Sequence, residues 1–335
     1  MEKNIKEAMN DLLIEKALLL YDIDKNQFKS LGGFENFVYE YEKDDISYIL
    51  RFVHSTHRTF DLVLAEIEFI DYLYSNGANV SRVVKSVNNA VSEKCNTENS
   101  EYFTITAFVK AKGDFVKREN IGPKLNKEFG RAVGKLHLLT KNYKPNHKRH
   151  HWYKEDFLDI GRRNLKEEDM YMIDKGLNLI KKLKTLQTDI DGYGLIHTDL
   201  HFGNMFYDGN DFTFFDFDDS SYKHFISDIA IIIFYQFGLS GFTDSQKEEK
   251  TFVFLNDFCE GYLEVNNLDF SWFDHLNDFL KLRELILYMV IHGAGEEMIN
   301  SPYGKRYIGF YGDRIKNDVP FFDYKKAIGI NKWNL

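Results

Sequence analysis

Little in this chain suits a disulfide scaffold, a membrane span or a nucleic-acid binder. Among 335 residues there are two cysteines, Cys95 and Cys259, which give neither a disulfide framework nor a metal-binding spacing. A reducing compartment is the simple expectation. The longest apolar run, Ile229 to Phe234, falls far short of the roughly 20 residues that cross a bilayer. At the N-terminus, Met1-Glu2-Lys3-Asn4-Ile5-Lys6-Glu7 mixes charges of both signs and holds no signal-peptide core. Excess positive charge is missing too: the formal net charge is −9, whereas nucleic-acid binding usually needs a basic surface. What is present is ordinary for a globular protein, with 44% hydrophobic and 28% charged residues, enough to build one large domain or two lobes. A cytoplasmic protein with no membrane and no nucleic-acid partner is expected; its oligomeric state is left open.

Apolar spacing sketches the elements. Residues 5–20 carry Ile5, Met9, Leu12, Leu13, Ile14 and Leu18 to Leu20 at mostly helical intervals, predicting an N-terminal helix. Ser30 to Tyr41, Phe34 included, reads as strand, Gly32-Gly33 turn, strand, and Asp44-Asp45 closes a hairpin into Ile46 to Val53. A helix is predicted over about 60–75, with Leu62, Ile67, Ile70 and Leu73 on one face and Asn76-Gly77 as its stop. Residues 80–95 and 101–109 read as strands around the polar loop Asn96-Thr97-Glu98-Asn99. Beyond Lys110 the chain turns mainly helical, over 125–139, about 155–188, from Ser227 onward, and over 248–335. His137 is expected to pack or cap. The basic, aromatic stretch from Lys141 to Trp152 is expected to be a solvated loop, or to border a substrate cleft. It has no RNA-binding motif, and His147, His150 and His151 fit no standard zinc pattern.

One stretch carries the chemistry. Leu195 to Tyr207 reads as a short strand and a polar loop; Asp208-Gly209-Asn210 then turns into a second arm, Phe212 to Asp219, that ends in carboxylates. Such a hairpin carries Asn204 back toward Asp216, with Asp199 on the loop just before. Hard oxygen ligands of this kind suit Mg²⁺ beside substrate phosphates. His197-x-Asp199-x-x-x-x-Asn204 followed by a strand-borne Asp216 has the arrangement of a kinase catalytic loop and metal-binding aspartate. Thr198 stands where protein kinases usually have Arg. This variant resembles the aminoglycoside phosphotransferase and choline kinase superfamily of small-molecule kinases.

The resemblance implies an α+β, bilobal, protein-kinase-like fold. A small antiparallel-sheet N-lobe over 1–109 would bind nucleotide, and a larger, mainly helical C-lobe over 110–335 would hold the catalytic and acceptor groups. The implied reaction is Mg²⁺-dependent transfer of the γ-phosphoryl group of ATP or GTP to a hydroxyl of a small molecule: an aminoglycoside or other antibiotic, an amino alcohol or a metabolite. Asp199 would accept the hydroxyl proton or orient the nucleophile, His197 would fix the loop, and Asn204 and Asp216 would hold the metal. Asp218, alternating back to the strand face of Asp216, is a candidate supporting or second-metal group. The Gly32-Gly33 turn would lie over the triphosphate, where missing Cβ atoms admit backbone N–H groups, although two glycines also suit a plain turn.

The family usually has Lys in the third strand, pairing with a helical Glu. Here that strand offers Arg51, whose fixed charge binds phosphate in a bidentate way but with different reach. Either Glu66 or Glu68 could pair with it, and Glu66 fits the family pattern better. Ala107, Phe108 and Val109 fall at the hinge, where backbone groups hold adenine in the family. Asp228 is expected to brace the catalytic loop. The acids Asp257, Glu260, Glu264, Asp274, Asp278, Glu284, Glu296 and Glu297 read as a solvated face, unless they serve a polycationic acceptor.

Two other classes stay open: a Ser/Thr protein kinase on the same fold, and a nucleotide-binding scaffold with little transfer activity, which only Arg51 suggests. Asp199, Asn204 and Asp216 together in one chain argue against the scaffold. A His197–His201 metal pair lacks a convincing third ligand. No residue identifies the acceptor.

Overall fold

The computed structural model describes residues 3–33, 35–97, 100–117, 120–154 and 157–323. Met1, Glu2, Phe34, Glu98, Asn99 and the stretch 324–335 of the expected C-terminal helices lie outside the described residues. The chain folds as two compact units. The first takes residues up to Phe115 together with 143–149 and 205–218; the second takes 116–142, 150–204 and the chain from Asp219 onward. One boundary after Val109 was the expectation; instead two later segments return to pack within the first unit.

Two helices, α1 (Lys3–Ala8) and α2 (Asp11–Tyr21), stand where residues 5–20 predict one. Asn10 makes the break: it is extended, and its side-chain oxygen accepts the Leu13 N–H at 3.0 Å, capping α2. Next come β1 (Phe28–Gly32), β2 (Phe37–Lys43), β3 (Ile46–His54), α3 (Phe60–Ser75), β4 (Val83–Val84), β5 (Glu93–Asn96) and β6 (Tyr102–Val109). Asp44 and Asp45 both have positive φ, 52° and 60°, the geometry of a tight two-residue hairpin turn. The stretch 80–95 is two short strands. The Ser86 hydroxyl accepts from the N–H groups of Asn88 and Ala90, and Asn89 has φ 62°, so the chain turns between them.

The sheet is antiparallel, in the order β1-β2-β3-β6-β4, with β5 also pairing β6. Alternation along β3 sorts its side chains. Leu50 and Phe52 join Leu13, Leu18 and Tyr21 of α2 in one core, while Val53 packs with Val63 and Ile67 of α3. A period of two therefore puts Arg51 on the α3 face. That is why an apolar strand carries a buried cation.

In the second unit follow α4 (Pro123–Thr140), α5 (Phe157–Asn164), α6 (Tyr171–Leu183) and β7 (Tyr193–Ile196). The hairpin of β8 (Met205–Tyr207) and β9 (Phe212–Phe214) belongs to the first unit, tied there by bridges from Tyr207 to Asp114 and from Phe214 to Val80. β10 (Ser221–His224) pairs antiparallel with β7, and α7 (Phe225–Phe237), α8 (Asp244–Leu263), α9 (Leu276–Gly293), α10 (Glu296–Asn300) and α11 (Pro302–Lys316) complete the unit. Every residue from Phe225 to Phe234 is buried, so α7 is enclosed on all sides. α4 and α8 meet backbone to backbone. A Cβ at Gly130 would lie 1.8 Å from the Phe258 carbonyl oxygen, and one at Gly261 1.8 Å from that of Lys127. Among the described residues no helix is long and apolar enough to cross a membrane.

Candidate active site

In the first unit, Arg51 and Glu66 form a buried bidentate pair, with Nη1 to Oε1 at 2.9 Å and Nη2 to Oε2 at 2.6 Å. Burial works against the Arg51 charge, but Glu66, Asp218 and Asp216 more than offset it, so the guanidinium is held firmly charged. Its Nη1 also stands 3.6 Å from Asp216 Oδ1, and the group lies over the Phe108 ring at 5.1 Å. Glu68 does not share this role. It accepts the N–H groups of Asn146 and His147 together with their side chains. Gly32 and Gly33 both have positive φ, 83° and 148°, and a Cβ on Gly33 would lie 1.8 Å from the Asn36 carbonyl oxygen. That turn requires glycine.

Asp216 and Asp218 part company. β9 ends at Phe214 and Asp216 has φ 64°, so the strand alternation expected to align them does not apply. Asp216 is half exposed, at 51%, whereas the Asp218 side chain is 7% exposed. Asp218 Oδ2 accepts from His57 Nε2 at 2.7 Å and Asn36 Nδ2 at 3.3 Å, and Arg58 lies 3.7 Å from Oδ1. Burial pushes the Asp218 carboxyl up, yet Arg58, His57 and Arg51 hold it well below the usual carboxylate range. Its backbone oxygen accepts from Arg149, which is buried and also donates to Leu62 O. The expected solvated loop at 141–152 is thus partly structural: its Arg149 anchors the segment that bears Asp216 and Asp218, and Tyr143 packs on Phe69 and Tyr72. Ala107 and Val109 close β6, but Val109 N–H donates to Arg82 O and Lys110 N–H to Ser47 O. Those donors are spent within the unit rather than open to a base.

In the second unit the loop after β7 is held in an unusual backbone state. Thr198 has φ 65°, disfavoured for a β-branched residue, and is kept there by two bonds: its N–H donates to Asp228 Oδ1 at 2.9 Å and its hydroxyl to Asp219 O. Asp228, in the first turn of α7, also accepts from buried His137, whose other nitrogen meets Tyr262 OH. His197 is buried, with Nδ1 3.4 Å from the Asp199 N–H. Asn204 donates Nδ2 to the backbone oxygen of Asp199 at 2.9 Å and to its Oδ2 at 3.0 Å. The amide nitrogen is therefore committed to the loop, and the amide oxygen is the atom for a cation.

Two residues that the sequence reading missed, Arg283 and Tyr235, complete this loop beside His201. Arg283 of α9, with a side chain only 10% exposed, forms an ion pair with Asp199 Oδ1 and donates to the Tyr235 hydroxyl of α7. His201 Nε2 stands 3.4 Å from Asp199 Oδ2. Burial raises the Asp199 carboxyl, but Arg283 and His201 outweigh it and keep it ionised below the usual carboxylate range. Local sequence gives Arg283 no signal like that of Arg51: Lys281 and Glu284 stand beside it in Lys281-Leu282-Arg283-Glu284-Leu285, whereas Arg51 is a single charge between Leu50 and Phe52. Glu284 departs from the expected solvated acidic face: it is buried, and desolvation pushes its carboxyl up to about 8.

Comparison with known proteins gives a consistent picture. Residues 29–260 match the model of the phosphotransferase enzyme family. An amicoumacin kinase of Bacillus subtilis (strain 168) is 32% identical over 333 residues, 97% of this chain and 98% of that protein. A solved amicoumacin kinase in complex with AMP-PNP, Ca²⁺ and Ami superposes with a TM-score of 0.91 at 30% identity, covering 97% of this chain and 99% of that one. A microcompartment-associated aminopropanol kinase has a TM-score of 0.71 at 18% identity, covering 92% of this chain and 98% of that one, a likeness of fold.

Proposed function

The chain belongs to the phosphotransferase enzyme family, and on that premise we propose that it transfers the γ-phosphoryl group of Mg²⁺-bound ATP to a hydroxyl of amicoumacin or a closely similar small molecule. The observation that carries the acceptor is the likeness to amicoumacin kinases, which runs the length of both chains rather than over the catalytic loop alone. ATP is favoured as donor over GTP because the similar solved kinase is held with AMP-PNP.

The residues present fit a hard divalent cation. Asp216 offers a half-exposed carboxylate and Asn204 an amide oxygen, the oxygen donors that Mg²⁺ takes beside phosphates. When bound, the cation neutralises charge on the phosphates. Arg51, fixed by Glu66, adds a permanent positive charge to the nucleotide-binding unit. Asp199, ionised and held by four partners, orients the acceptor hydroxyl and takes its proton as the new bond to phosphorus forms. Alignment and charge neutralisation supply most of the rate in such transfers.

The test is incubation with ATP, Mg²⁺ and amicoumacin, followed by mass spectrometry. Phosphorylated amicoumacin supports the assignment. ATP consumption without it, across varied acceptor concentrations, overturns the acceptor while leaving the reaction class.

A further inference from the structure

Four donors converge on the carboxylate of Asp199. Oδ1 receives Arg283 Nη2 and, at 3.5 Å, the Tyr235 hydroxyl; Oδ2 receives Asn204 Nδ2 at 3.0 Å and faces His201 Nε2 at 3.4 Å. A carboxylate has about four lone-pair positions, so an incoming acceptor hydroxyl must displace one of these partners. Arg283 is a poor candidate to leave. It is buried, charged, and lies over the Tyr235 ring at 5.1 Å, so losing its carboxylate would strand a guanidinium out of water. Asn204 is bound twice to Asp199. Tyr235 makes the longest of the four contacts, is neutral, and offers the same group as the acceptor, an O–H.

We propose that Arg283 is a positioning residue that fixes the Asp199 carboxylate, and that the Tyr235 hydroxyl occupies the acceptor's place on Oδ1 until an acceptor arrives. This rests on the phosphotransferase reading. In the step itself the acceptor oxygen bonds to the γ-phosphorus and its proton passes to Asp199 Oδ1. The bond from that phosphorus to the bridging oxygen breaks, its electron pair leaving with ADP. Tyr235 stays bonded to Arg283 throughout, so the displaced hydroxyl keeps a partner. Water is the smallest acceptor and competes for the same position, which makes ATP hydrolysis without acceptor a readout of how firmly Tyr235 holds it.

Four proteins test this: the wild type, Tyr235→Phe, Arg283→Lys and Arg283→Gln, each assayed for ATP hydrolysis alone and for transfer to amicoumacin, with melting temperatures measured alongside. Tyr235→Phe should raise hydrolysis and lower the acceptor KM, each by about three- to ten-fold, the worth of one hydrogen bond. Arg283→Gln should lower kcat on the order of 10²-fold in both assays with the ATP KM unchanged, and Arg283→Lys should recover part of the loss. Tyr235→Phe with hydrolysis unchanged or reduced overturns the place-holding role. A loss in Arg283→Gln that sits in the ATP KM, or that Lys does not relieve, overturns the positioning role. Should Arg283→Gln fail to fold, Arg283→Lys and Tyr235→Phe decide. Wild-type hydrolysis without transfer to amicoumacin rejects the acceptor, and the hydrolysis comparison still judges this inference.

Discussion

Arg51 and Glu66 face each other across β3 and α3 as a two-pronged ion pair, with Glu66 fully buried. Alternation along the strand makes the pair: the residues on either side of Arg51, Leu50 and Phe52, turn to the α2 core, and Arg51 turns to α3. Breaking such a pair leaves a charge stranded, which costs about 3–5 kcal/mol. Glu66→Gln should therefore lose stability of that order in denaturant unfolding. Arg51→Lys keeps the charge but not the fork, and should raise the ATP KM roughly ten-fold with a smaller loss of stability. An unaltered ATP KM in Arg51→Lys would separate this residue from the nucleotide.

Glu284 supplies a pH signature. Burial raises its carboxyl from 4.5 to about 8, with Arg314, Lys281 and Lys247 only partly opposing. In the unfolded chain it ionises near 4.5, so between those values the folded protein holds a proton that the unfolded chain has lost. Stability from this group is full below the unfolded value and declines as pH rises through the folded one. Glu284→Gln removes that decline. Its melting temperature relative to the wild type should rise from about pH 5 to about pH 8, and a constant difference contradicts the assignment.

The crossing of α4 and α8 is set by backbone contact at Gly130 and Gly261. Neither contact has a flexible side chain to yield, since both are carbonyl oxygens. Gly130→Ala should push the helices apart and destabilise the protein by about 1–3 kcal/mol or more, read by thermal or urea unfolding. Gly209→Ala in the β8–β9 turn meets no atom within 4 Å, though its φ of 101° adds strain, and serves as a contrast in which backbone conformation alone is at stake.

Local spacing explains what could be read in advance. The loop from His197 to Asn204 folds on itself, so the partners of Asp199 at positions 197, 201 and 204 were all within sight. Arg51 stood out as a cation in an apolar strand, and Glu66 as the acid on the next helix. Tyr235 and Arg283 reach Asp199 from 36 and 84 residues away, on helices whose direction no short pattern fixes. Arg149 was hidden for a similar reason: its partners, the backbone oxygens of Leu62 and Asp218, lie 87 and 69 residues away. Asp218 was misplaced beside Asp216 because period-two reasoning was carried beyond Phe214, where the strand ends.

In the proposed reaction Asp199 orients the acceptor hydroxyl and takes its proton, and Asp199→Asn tests that role most directly. The measurement is the single-turnover rate of phosphoryl transfer from Mg²⁺-ATP, beside AMP-PNP binding by thermal shift. The rate should fall by about 10²- to 10⁴-fold while the thermal shift persists. An Asp199→Asn protein that binds nucleotide and transfers phosphate at the wild-type rate would contradict the account.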